Sequence, residues 1–191
     1  MDTSKTVEQL TQTASLKTRQ ISSETIALFL ERNGWKKEVA GADDFDKVVK
    51  ALKMAYENQR GIFVAGAPGC GKTALLKCLQ KNYKHNIFLY CKDKEDIEYM
   101  KCKCVDEDVW DVFIDDLGCE EIMKEYGNTI DVVGDFIQYL HNRFKGHVFI
   151  SSNNGLKWMN ERYGGRVMDR VLDMCVCFQM SGSSKRERMV L

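Results

Sequence analysis

Five short apolar runs punctuate the chain, and longer stretches between them carry apolar residues at helical spacing. The runs are Ile62–Ala65 (bounded by glycines), Asn86–Cys91, Val112–Ile114, His147–Ile150 and Cys175–Met180. Runs of this length with turn residues at their ends predict buried strands. Between them, Ser22–Gly34 predicts a helix that starts on serine, sets Ile26, Phe29 and Leu30 on one side and stops at glycine. Asp44–Asn58 predicts a second, with Phe45, Val48, Val49, Leu52, Met54, Ala55 and Tyr56 at helical intervals. Further helices are predicted over Ala74–Leu79, Asn128–Lys145, Leu156–Tyr163 and Arg166–Leu172, and one short helix within the charged stretch Lys92–Val109. Trp35 falls in a loop, and Glu120–Gly127 reads as a polar connection.

Strands alternating with helices predict an α/β fold, a five-stranded parallel sheet with helices on both faces and a ligand at the carboxyl ends of the strands. Residues 44–191 are expected to form that domain. Residues 1–43 are expected to form an N-terminal arm and helix, polar over 1–20, whose helix either packs on the domain or docks a partner.

The first strand runs into Gly66-Ala67-Pro68-Gly69-Cys70-Gly71-Lys72-Thr73, a full match to G-x-x-x-x-G-K-[ST], and Ala74 opens the helix that follows. Strand, glycine-rich loop and helix N-terminus form a phosphate-binding unit. A triphosphate must be wrapped by backbone N–H groups, and side chains at Gly66, Gly69 or Gly71 would hold the backbone away. The positive end of the helix faces the same anion. Lys72 is expected at the β- and γ-phosphates, and the Thr73 hydroxyl on Mg²⁺.

The third strand ends in Asp115-Asp116, followed by Leu117 and Gly118. Two carboxylates at the end of a buried strand are costly unless a cation meets them. Mg²⁺ on a bound nucleotide supplies one: Asp115 would hold the metal and Asp116 would polarise the attacking water. The fourth strand leads into Ser151-Ser152-Asn153-Asn154, where Asn153 could sense the γ-phosphate by hydrogen bonding or serve as a turn residue. No N-K-x-D stretch follows the loop, so adenine rather than guanine nucleotide is expected.

Composition narrows the partners. Lys plus Arg and Asp plus Glu both number 28, so no global basic field exists to hold nucleic acid, and such contact needs a local stripe or a ring of subunits. Lys92, Lys94, Lys101 and Lys103 could form that stripe or simply solvate a helix face. With no apolar stretch of signal-peptide or membrane-span length, a cytoplasmic protein is expected, its eight cysteines reduced. His85, Cys91, Cys102 and Cys104 could offer soft ligands, but their C-x-C pair lacks the usual zinc spacing.

Taken together, GAPGCGKT, FIDDLG followed by Glu120, Glu125-Tyr126-Gly127-Asn128, the ISSN run, RVMDR and Gly182-Ser183-Ser184-Lys185-Arg186 resemble the DnaC/IstB-like branch of the AAA+ ATPases, over about Phe45 to Arg186. That branch holds replicative-helicase loaders and transposition helper ATPases. The resemblance implies an AAA+ core and a Mg²⁺-dependent ATPase that forms homo-oligomers and remodels a ring helicase or a transposase, with single-stranded DNA as a further candidate ligand. It also implies roles: Asn153 as first sensor, Arg166 as the arginine reaching a neighbour's nucleotide with Arg170 in support, and Arg186 as second sensor. Loaders carry a separate helicase-binding domain and a longer insertion between the second and third strands than Lys92–Val109 provides, so a nucleotide-gated adaptor with little hydrolysis is the alternative reading. With Leu191 a few residues past the last strand, no helical lid is expected, and monomer affinity for ATP should be weak.

Overall fold

The computed structural model describes residues 20–91, 94–106, 110–120, 123–125, 128–130 and 132–182. Three helices come first: α1 (Ser23–Arg32), α2 (Lys37–Ala40) and α3 (Ala42–Glu57). Ser22 caps α1, its side chain accepting from the Thr25 N–H at 3.1 Å. The core then alternates β1 (Gly61–Gly66), α4 (Lys72–Gln80), β2 (Asn86–Tyr90), α5 (Lys94–Asp106) and β3 (Asp111–Leu117). A small antiparallel pair, β4 (Met123–Glu125) with β5 (Asn128–Ile130), precedes α6 (Val132–Arg143), β6 (His147–Ser152), α7 (Leu156–Tyr163), α8 (Gly165–Met174) and β7 (Cys175–Met180).

Among the described residues the main sheet has five strands, all parallel, in the order β2-β3-β6-β1-β7. Successive side chains alternate between its faces. Ile62, Val64, Phe113 and Phe149 point to one side, where α1, α2, α3 and α4 supply Leu30, Ala40, Val48 and Leu76. Phe63, Val112, Ile114, Val148 and Ile150 point to the other, where α5, α6, α7 and α8 supply Ile97, Phe136, Met159 and Val171. The expected α/β sandwich is therefore the fold.

The N-terminal segment shares the first of these cores: Ile26 and Leu30 are buried in it, and Trp35 stacks on Phe45 with ring centroids 5.6 Å apart. No described helix is long and apolar enough to cross a membrane. All eight cysteines are free thiols.

The structure corrects three sequence expectations and adds one short element. Glu120–Gly127 is not merely a connection, because Met123–Glu125 pairs with Asn128–Ile130, and α6 begins only at Val132. Two three-residue strands two residues apart have hairpin spacing, which the helical periodicity of Ile130 with Val133 hides. Trp35 lies in a loop as expected, and the single turn α2 follows it from Lys37. The Lys92–Val109 stretch holds a helix of 13 residues, longer than its charge pattern suggests. Finally, β6 continues through both serines, because pairing with Val64 and Ala65 of β1 carries them into the ladder, whereas β3 includes both aspartates as expected.

Candidate nucleotide site

The site lies where β1, β3 and β6 end. Because β6 sits between the other two, its carboxyl end is wedged between the glycine loop and the aspartate pair. Open parallel sheets place ligands at such crevices. Gly71 starts α4 with φ +108°, and Gly69 has φ +84°, left-handed conformations that leave N–H groups facing outward. A Cβ on Gly66 would lie 2.9 Å from both Cys70 Sγ and the Met180 carbonyl oxygen, so the loop tolerates no side chain there. Ala67, Pro68 and Ala74 are exposed along its rim, while Cys70 is buried beneath it.

Lys72, the first residue of α4, is only 4% exposed, and its Nζ donates to three oxygens. These are the carbonyls of Gly66 at 2.8 Å and Ala67 at 3.0 Å, and Asn153 Oδ1 at 2.9 Å. Asn153 in turn donates from Nδ2 to Asp116 Oδ1 at 3.4 Å. One amide therefore connects the loop lysine to the second aspartate.

Asp115 is fully buried. Its Oδ1 accepts from the Thr73 hydroxyl at 3.2 Å and from the Ser151 hydroxyl at 2.5 Å. Its Oδ2 is the single buried side-chain polar atom without a hydrogen bond among the described residues. A buried carboxylate oxygen left without a donor is expensive. A hydroxyl and a carboxylate side by side form a hard-oxygen pair suited to Mg²⁺, so the residues present fit that ion.

The ladder between β3 and β6 slips between Ile114 and Leu117, where Asp116 takes φ +58°. Aspartate tolerates this conformation better than most residues. The slip turns Leu117 into the opposite core from Phe113. The Asp116 N–H donates to Ser151 Oγ at 3.0 Å, so one hydroxyl serves both aspartates. Ser152 anchors the same turn by donating to the Leu117 carbonyl at 2.6 Å.

Lys72, Thr73, Asp115, Asp116 and Asn153 thus converge as the motifs imply. Arg166 does not join them: it is exposed on the first turn of α8. Arg170 is tied to α6, its Nη1 donating to Gln138 Oε1 at 2.9 Å. Arg186, with Ser183, Ser184 and Lys185, lies outside the described residues, as do Lys92, Tyr126 and Gly127. Lys101 and Lys103 sit over the rings of Tyr139 (6.0 Å) and Tyr99 (5.6 Å). Sequence reasoning missed the role of Ser151, because only the fold sets its hydroxyl against the two aspartate residues.

Residues 62–153, from β1 to Asn153, match the model of the viral superfamily 1 RNA helicase core domain. A solved structure described as a "putative primosome component" from Streptococcus pyogenes serotype M3 aligns with 68% of this chain and 72% of its own, at 19% identity and a TM-score of 0.48. No curated protein matches the chain in sequence. The sheet, the glycine loop and the buried Asp115 define a phosphate-loop NTPase core. Within that class, the order of its motifs resembles that of the DnaC/IstB-like branch.

Proposed function

We propose that this chain is a Mg²⁺-dependent ATPase that assembles through nucleotide and remodels a ring helicase in DNA replication. The observation that carries the reading is the Asp115 Oδ2 atom, buried and without a donor beside the Thr73 hydroxyl. A cation there would satisfy it. The DnaC/IstB-like order of motifs supports the choice of a ring helicase as partner, with a transposase as the other partner that branch implies.

Bound MgATP would supply the phosphoanhydride and the divalent charge. Thr73 and Asp115 would hold the metal, and Lys72 would direct its ammonium at phosphate oxygens. Asp116 would accept a proton from the attacking water, which Asn153 would help orient from its bridge between Lys72 and Asp116. Arg166 is exposed at the start of α8, so its guanidinium would serve a neighbouring copy. An arginine supplied in this way acts on charge developing at the transferred phosphoryl group. Arg186 is assigned the second-sensor role on the resemblance alone.

Titration with a fluorescent ATP analogue tests the binding half of the proposal. Lys72→Ala is expected to abolish saturable binding, and EDTA to weaken binding to wild type. Equal affinity in wild type and Lys72→Ala would refute the site.

A further inference from the structure

Glu120 lies four residues beyond Asp116 and has no part in the chemistry above. Its side chain is only 8% exposed, yet both oxygens are engaged. Oε2 accepts from the Gly118 N–H at 2.9 Å and from the Cys91 thiol at 3.6 Å. Oε1 accepts from the Tyr163 hydroxyl and lies 3.6 Å from Nη2 of Arg162. Burial, and next the Glu120 charge, push the Cys91 thiol up from its ordinary value. Burial and the bond to Glu120 do the same to the Tyr163 hydroxyl, so both groups stay protonated as donors.

These donors come from separate parts of the molecule. Gly118 belongs to the turn that carries Asp116, whereas Arg162 and Tyr163 close α7. The turn also lies flush against α7. Gly118 has φ +95°, and a Cβ there would come within 2.8 Å of the Trp158 ring. Gly164 alone separates α7 from α8, and Arg166 is the second residue of α8. Tyr163 therefore stands three residues from the exposed arginine.

We infer that Glu120 is a positioning residue that ties the hydrolytic turn of one subunit to the arginine which that subunit presents to its neighbour. The inference rests on the proposed trans role of Arg166. A buried carboxylate couples its donors tightly, because losing any one of them leaves charge poorly compensated. Movement of the Asp116 turn is passed through the Gly118 N–H to Glu120, and from there to Tyr163 and the start of α8. Each site then sets how well the next one is completed.

Mixed assemblies test this. Subunits carrying Asp116→Asn can donate an arginine but not hydrolyse ATP; subunits carrying Arg166→Ala have an intact site but no arginine to give. Phosphate release should reappear when the two are mixed. Adding Tyr163→Phe or, separately, Glu120→Ala to the donor subunit is expected to lower kcat of the mixture by about three- to thirtyfold. KM for ATP should not change, because the hydrolysing subunit is untouched. Tyr163→Phe removes one oxygen and keeps the ring, so it guards against a folding defect in Glu120→Ala. A loss that appears only when Tyr163→Phe is carried by the arginine-less subunit, or no loss in either, would overturn the coupling. If the unmodified pair restores no turnover, the trans arginine itself is wrong and the inference falls with it.

Discussion

Ser151 sets one hydroxyl between the Asp115 carboxylate and the Asp116 backbone N–H. It donates to Asp115 and accepts from the Asp116 N–H, so its loss would strip one donor from a buried carboxylate and one acceptor from a buried amide. Ser151→Ala is expected to lower stability by about 1–3 kcal/mol, measured as a lower urea midpoint. It should also reduce ATP hydrolysis more than ATP affinity, since Thr73 and Lys72 keep their places. An unchanged midpoint together with unchanged turnover would contradict this account of the site. Lys72, Thr73 and Asp115 are legible in the sequence because their chemistry fixes their spacing. Ser151 and Glu120 are not, because hydroxyls and carboxylates occur in many turns, and only the fold brings these two against their donors.

At the scale of elements, the alternation of apolar runs and amphipathic stretches is enough to read five strands and most of the helices. The β4–β5 hairpin escapes that reading because three-residue strands hold too few positions to show a period. The α3–β7 junction is invisible for another reason: its contact spans most of the chain. Asp44, in the first turn of α3, is buried and accepts from the N–H groups of Ser181 and Gly182 at 2.9 Å each, and from the Ser181 hydroxyl at 3.1 Å. Burial by itself would push this carboxyl up. The hydrogen bonds, with Lys47 at 3.6 Å, outweigh it and hold the carboxyl below its ordinary 3.8. A carboxyl lowered on folding adds stability that is present above its unfolded value and lost as pH falls through its folded one. Wild type should therefore be more stable than Asp44→Asn at neutral pH, with the gap closing below about pH 4. Urea midpoints across pH would show this, and a gap independent of pH would count against it. On the opposite face of the sheet, Gly118→Ala should destabilise the fold by about 1–3 kcal/mol, from left-handed backbone and the clash with Trp158. Thermal unfolding of that variant at or above the wild-type midpoint would contradict the packing described.

The whole molecule carries equal numbers of acidic and basic residues, so long-range attraction to nucleic acid is not what would bring it to a partner. What the surface does offer is an exposed arginine on α8, three residues from Tyr163, whose hydroxyl donates to Glu120 beside the Asp116 turn. Assembly would convert that arrangement from a binding site into a hydrolytic one. The order of motifs makes this legible in outline, because Arg166 follows the site residues at the position the resemblance implies. Its exposure, and the bond that ties the nearby Tyr163 to Glu120, appear only once α7 and α8 are folded. The most direct measurement is steady-state MgATP hydrolysis as a function of protein concentration, for wild type and Arg166→Ala. Turnover per subunit should rise with concentration in wild type and stay at its dilute value in the variant, while both bind the nucleotide analogue equally. Equal turnover by the two proteins at high concentration would contradict the claim that a second copy completes the site.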